Sequence, residues 1–230
     1  MTARRLAVVT GAGRGLGAAL VSSLAARDWD VVACVRTEPP AAVPHPRVTP
    51  ILQDVRDPVG PDLLAVVLGR PLDALINNAG IGAPGVPLAS CDPRSVLDAV
   101  DVNVAGPLRL AQALLPSLTC ATAPLIVNVS SRLGSLSAQA GGAFAGRSTS
   151  YAYRISKAAQ NMLTIALAQE LSGRVRCWAV HPGSLTTSMG TRDATTSPAE
   201  AATRLADLLD SPDPTSPRYI SLDGGPDLTW

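Results

Sequence analysis

Short apolar runs alternate along the chain with longer stretches in which apolar residues recur at every third or fourth position. The runs predict buried strands at residues 6–9, 30–35, 48–52, 72–77, 124–129 and 175–180, with a short last strand at 218–222. The longer stretches predict helices at 18–27, 61–68, 92–118 and 153–171. Residues 10–17, TGAGRGLG, separate the first strand from the first helix, and the second strand follows directly. That series is a right-handed crossover unit, which makes its two strands parallel. Its repetition predicts an α/β fold: a doubly wound sheet of about seven mostly parallel strands with helices on both faces. Proline crowds residues 38–46, and Gly, Ala and Ser dominate 138–150, so both read as loops. No repeat, long linker or second core interrupts the pattern, and residues 1–230 read as one domain with substrate-side loops at about 133–150 and 184–200.

Composition narrows the picture. Hydrophobic residues make up 47% of the chain but aromatics only 3%, so the core must be built from Ala, Val, Leu and Ile, which suits helices packed closely on a parallel sheet. Nineteen basic residues against eighteen acidic ones leave a net charge of +1 without a basic block, which argues against nucleic acid and anionic membrane as partners. The apolar run at 6–9 is too short for a signal-peptide core or a membrane span, so a cytoplasmic protein is expected. Cys34, Cys91, Cys120 and Cys177 form no CxxC pair and read as buried free thiols. His45 and His181 have no neighbouring ligands, and no metal site is expected. The basic residues are eighteen arginines and one lysine, Lys157. A chain that meets nearly every need for positive charge with a rigid guanidinium has kept one compact ammonium there.

Two places carry chemistry. In the glycine turn, Gly11, Gly15 and Gly17 let backbone amides approach a ligand while the following helix aims its positive end at the same point, a fit for pyrophosphate. Where units that bind NAD usually offer an acid to the ribose hydroxyls, the second strand ends in Arg36-Thr37, and Arg14 adds a second cation. Arginine suits a 2′-phosphate, so the expected cofactor is NADP(H). Further on, Tyr153 and Lys157 stand four residues apart, on one face of a helix. A phenol that ionises near pH 10 becomes a usable proton donor and acceptor when an ammonium and an oxidised nicotinamide stabilise phenolate. The spacing to Lys157 selects Tyr153 over Tyr151.

The whole chain resembles the short-chain dehydrogenase/reductase family, whose motifs appear in order. Thr10 to Gly17 matches TGxxxGxG, Asp54-Val55 resembles the pair that meets the adenine, and Asn77-Asn78-Ala79-Gly80 matches NNAG. Asn103 stands where the family keeps a helix asparagine, Asn128-Val129-Ser130-Ser131 resembles the strand bearing the catalytic serine, and Pro182-Gly183 with Thr187 matches PGxxxT. The resemblance implies a Rossmann-type fold, with Tyr153 as acid-base residue and Lys157 lowering its pKa and holding the nicotinamide ribose. It implies that Ser131, or else Ser130, bonds the substrate oxygen, and that Asn103 holds a water linking Lys157 to solvent. It assigns cofactor contacts to Gly11, Arg14, Gly15, Leu16, Gly17, Arg36, Thr37, Asp54, Val55, Asn78, Ala79, Gly80, Tyr153, Lys157, Pro182, Gly183, Leu185 and Thr187.

Within that family the sequence is similar to sniffer-type carbonyl reductases and C-factor proteins, in Ser130 to Ser135, Tyr151 to Arg154, His181-Pro182-Gly183 and the ending from Asp223-Gly224 to Trp230. It departs from the family pattern in the separation of Ser131 and Tyr153, 22 positions apart, which makes the loop from Ala138 to Ser150 an extra piece expected to border the substrate, and in Ser188, where the subgroup often has an acid. Residues 133–150 and 184–197 carry little charge beyond Arg147, Arg192 and Asp193, which implies a small, mostly neutral carbonyl substrate. The expected activity is reduction of a ketone or aldehyde with NADPH. The alternatives are a non-redox cyclisation, dehydration or epimerisation at the same site, and a nucleotide-binding signalling protein. Dimer, tetramer and monomer all remain open.

Overall fold

A computed structural model describes residues 4–37, 45–83, 85–146, 150–186 and 194–230. Seven strands, β1 (Leu6–Thr10), β2 (Asp30–Val35), β3 (Val48–Leu52), β4 (Ala74–Asn77), β5 (Leu125–Val129), β6 (Arg176–His181) and β7 (Arg218–Ser221), form one sheet in the order β3-β2-β1-β4-β5-β6-β7. All neighbours are parallel. The direction of winding reverses between β1 and β4, and in open sheets of this kind the ligand crevice lies beyond the strand ends at such a switch point. The glycine turn follows β1 and Asn78-Ala79-Gly80 follows β4, so both line it.

Side chains alternate across the strands and fill two cores. On one face Val9, Val31, Ile76, Val127, Trp178 and Val180 pack under α1 (Gly15–Ala25) and α7 (Pro198–Asp210). On the other Val8, Leu75, Ile126 and Cys177 meet α2 (Pro61–Val67), α4 (Gly106–Leu118) and α6 (Tyr151–Glu170).

The predicted helix 92–118 is α3 (Arg94–Val100) joined to α4 through a π turn, Asp101–Ala105, in which the Gly106 amide bonds the Asp101 carbonyl five residues back. That wider turn holds Asn103 fully buried. The first helix starts at Gly15, earlier than the predicted residue 18, so the glycine turn feeds straight into it. Residues 138–150 are not all loop, because Ser135 accepts from the Ala138 amide at 3.1 Å and starts the short helix α5 (Leu136–Ala140). Nor does the loop expected at 184–200 reach residue 200: Leu185 bridges to Thr196, and Ser197 with Glu200 makes a reciprocal cap from which α7 begins at Pro198. Of the four thiols only Cys34 and Cys177 are buried; Cys91 is half-buried and Cys120 is exposed on the turn after α4.

Residues 223–230 return along the sheet edge. The Leu228 amide bonds the Tyr219 carbonyl, Trp230 stacks on Tyr219 with ring centroids 5.1 Å apart, and Ser137 of α5 donates its amide to the Trp230 carbonyl and its hydroxyl to Thr229.

Leu205 of α7 is completely buried against α1 and the sheet. Leu205→Ala should lower the unfolding free energy by about 2–5 kcal/mol in urea titration, and a loss well under that range would contradict this packing.

Candidate active site

The nucleotide end is built from interlocked backbone. Gly11 has φ +64°, and a Cβ there would stand 2.9 Å from the Ala79 Cα; a Cβ on Gly17 would stand 2.2 Å from the Gly11 carbonyl oxygen and 2.6 Å from Asn78 Nδ2. These two glycines therefore answer first to protein packing, where the sequence suggested ligand approach. Asn78 donates to the carbonyls of Thr10 and Gly11, and the amides of Asn78 and Ala79 both donate to the Thr10 hydroxyl, so β1 and β4 are stapled at the switch point. Helix α1 starts at Gly15 (φ +56°) without a side-chain cap, which leaves its first amides for an anion. Arg14 and Arg36 are exposed, and their side chains make no hydrogen bond or ion pair among the described residues. Thr37 is exposed beside Arg36. The Asp54 carboxylate is engaged by Arg56 at 2.7 Å, which holds it below its ordinary pKa; Val55 beside it is buried against Gly106.

The reacting end lies where β5 meets the start of α6. Ser150 caps α6, accepting from the Tyr153 amide at 3.2 Å, and the Ser131 side chain faces the Tyr153 phenol closely enough to favour its ionised form. Lys157 is 4% exposed, and its ammonium donates to the Val129 carbonyl at 2.7 Å and to Gln160 Oε1 at 2.9 Å, 5.7 Å from the Tyr153 ring centre. Gly80 leaves room beside it: a Cβ there would stand 3.2 Å from Asn103 Oδ1 and 3.7 Å from Lys157 Nζ.

Burial moves both groups toward their neutral forms. The Lys157 ammonium is lowered to about 7. The Tyr153 phenol of the nucleotide-free protein stands above its ordinary value because burial outweighs the opposing influence of Ser131. Asn103 Oδ1 accepts from the Ile81 amide, and its Nδ2 donates to the Ile81 carbonyl and to Ser156 Oγ, so both side-chain amide hydrogens tie the β4 loop to α6.

The sequence pattern of the short chain dehydrogenase family matches residues 5–197. The chain belongs to the short-chain dehydrogenase family. It is thus an oxidoreductase of CH–OH and C=O groups that uses a nicotinamide cofactor. C-signal of Myxococcus xanthus is 34% identical over 157 residues, 67% of this chain and 90% of that protein. Among solved structures, the NADPH-bound carbonyl reductase from chicken fatty liver superposes with TM-score 0.86 at 27% identity, covering 99% of both chains. Carbonyl reductase Sniffer of D. melanogaster gives 0.84 at 25%, again covering 99% of both.

For a dehydrogenase of this family, the structure gathers Ser131, Tyr153, Lys157, Asn103 and Gly80 into one cluster at the edge of the switch-point crevice. Ser130 is turned away, donating to Asn161 Oδ1 at 2.6 Å beneath the site, so the Ser131 hydroxyl is the one that meets the phenol. Pro182 is buried, Gly183 (φ +88°) closes on Thr196, and Leu185 packs against the α1–α7 core; Thr187 lies outside the described residues. Leu16 is buried in that same core.

Several residues with a part in the site escaped sequence reasoning. Gln160, Asn161 and Thr164 share the buried face of α6 with Tyr153 and Lys157, and a polar stripe at helical spacing was their signal. Tyr219, which donates to the Ser131 carbonyl from 88 residues away, gave none. An apolar groove of about 340 Å³ lined by Leu133, Leu136, Tyr151, Ile155 and Ala158 runs along a different face of α6 from Tyr153 and Lys157.

His181, at the end of β6, is 6% exposed, and neither ring nitrogen has a hydrogen-bond partner among the described residues. Burial, aided by Arg132 and opposed by Asp223, lowers its pKa to about 4. A base depressed in the folded state loses stability as pH falls from its unfolded value, about 6.5, toward 4, at up to about 1.4 kcal/mol per pH unit. Over that window wild type should lose more unfolding free energy in urea than His181→Met; parallel curves would mean that His181 takes up its proton in the folded protein.

Proposed function

We propose that the protein reduces a ketone or aldehyde with NADPH. The observation that carries the reading is the buried Lys157 ammonium 5.7 Å from the Tyr153 ring, with Ser131 facing the phenol and an uncapped helix start at the switch point. When bound, the reduced nicotinamide would supply a hydride to the carbonyl carbon. The protein's own residues do the rest. Ser131 donates to the substrate oxygen and orients it, and Tyr153 gives that oxygen its proton, so the products are the alcohol and oxidised nucleotide. Lys157, in its charged form, holds the nicotinamide ribose and stabilises the phenolate left behind. Burial keeps Tyr153 protonated before the reaction, as a donor must be.

The uncapped amides of α1 suit the pyrophosphate, and the two unpaired guanidiniums at Arg14 and Arg36 suit a 2′-phosphate beside Thr37. Asp54 with Val55, and Pro182, Gly183, Leu185 and Thr187, are assigned to the adenine and nicotinamide ends by the family pattern. One nucleotide-binding domain, a small and mostly neutral substrate and a cytoplasmic setting complete the reading. The likeness to C-signal supports a second reading, nucleotide binding in the service of signalling, whose mark would be tight NADPH binding without turnover of any carbonyl compound.

Oxidation of NADPH should be seen with members of a panel of aldehydes and ketones, and Tyr153→Phe should lower kcat by roughly 10²-fold or more. Absence of turnover in wild type, or full turnover in the variant, overturns the assignment. Replacing Arg36 by Glu should lower kcat/KM for NADPH at least about tenfold relative to NADH, since a charge-assisted bond to phosphate is lost and repulsion takes its place; an unchanged ratio would remove Arg36 from the 2′-phosphate site.

A further inference from the structure

We propose that Gln160 is a positioning residue for the reaction, holding Lys157 in its charged form and aiming its remaining N–H at the cofactor side. The inference rests on the role given to Lys157 above.

Gln160 lies one turn beyond Lys157 on α6 and is completely buried. Its Oε1 accepts from the ammonium at 2.9 Å, and its Nε2 has no partner among the described residues. The orientation is forced, since a flipped amide would set its own N–H groups against an ammonium. Burying an amide with one end unmet costs free energy, and an aliphatic side chain of similar volume would avoid that cost. What the amide contributes in return is its oxygen on Lys157. An ammonium has three donors: Val129 O takes one from the strand and Gln160 takes one from the helix, which leaves one for the open side toward Gly80.

The groups that face Lys157 are few. Tyr153 is the titratable neighbour on α6 itself; β5 offers the Val129 carbonyl, the π turn and β4 loop offer the Asn103 amide and Gly80, and the turn after Ser131 brings Gly134 over the Lys157 backbone. Burial is the cause recorded for its lowered pKa, and no carboxylate or second cation acts on it among the described residues. Two neutral oxygens are therefore what keeps the charge in place, and loss of one should move its titration.

Because Lys157 is the only lysine in the chain, lysine labelled with 13C gives a single ε-carbon resonance whose pH titration reads this group directly, in the nucleotide-free protein and without reference to activity. Gln160→Met should lower the Lys157 pKa by about one pH unit, and Gln160→Glu should raise it by at least as much. The alkaline limb of kcat/KM should move in the same two directions. A purely structural role would not shift the two variants oppositely. If the lysine titrates within roughly 0.3 pH unit of wild type in whichever variant folds, as judged by its melting curve, the proposal fails. Tyr153→Phe measured alongside separates the two readings: turnover surviving in that variant defeats the catalytic assignment, whereas an unmoved lysine titration with turnover abolished in Tyr153→Phe defeats only the role of Gln160.

Discussion

A buried ammonium must find acceptors in place of water, and Lys157 finds them on two different elements, the Val129 carbonyl at the end of β5 and Gln160 one turn along α6. That bond fixes how far the helix can slide along the sheet, and with it the place of Tyr153 over Ser131. A parallel strand ends by presenting carbonyls that no neighbouring strand fully uses, and here one of them has become part of the site. Gly134 completes the arrangement: a Cβ there would stand 2.7 Å from the Lys157 carbonyl, so the turn after Ser131 can sit directly on the helix.

Around that anchor the interface between sheet and α6 is polar where most such interfaces are greasy. Asn77 donates to Asn128 and Asn128 to Thr164; one layer nearer the site, Ser130 donates to Asn161, and Tyr219 reaches the Ser131 carbonyl. Ala179, paired with Asn128 on one side and Tyr219 on the other, is small enough to let the phenol cross. Each of these side chains gives up water for a protein partner, a trade that yields little net stability but allows one arrangement only. Such a layer suits a site whose reacting atoms must be held within tenths of an ångström.

The strands were legible because a sheet covered on both faces writes itself as continuous apolar runs, and all seven were found within two residues of their ends. The π turn was not, since a carbonyl five residues back leaves no mark on composition; the pattern from Asp92 to Leu118 looks like one helix and mechanically is one. Helix α7 was overlooked although it was legible: Ser197, Pro198 and Glu200 spell a helix start, and Ala201, Ala202, Leu205, Ala206 and Leu209 stripe one face. In the site, Tyr153 and Lys157 could be read from spacing, and so could the stripe Gln160, Asn161 and Thr164 that continues it. Tyr219 could not, because its contact depends on strand pairing that only tertiary structure supplies. Adjacency of Tyr153 to a cation is visible in sequence, whereas the burial that raises its pKa in the nucleotide-free protein is not.

The segment at 223–230 grips α5 from outside the sheet, through Trp230 on Tyr219 and through Thr229 and Trp230 on Ser137. Two stretches separated by most of α6, β6, α7 and β7 thus behave as a single cassette, clipped to the carbonyl of Ser131 by one phenol. The two stretches are therefore one mechanical unit, and a change in either is felt by the other through Ser137.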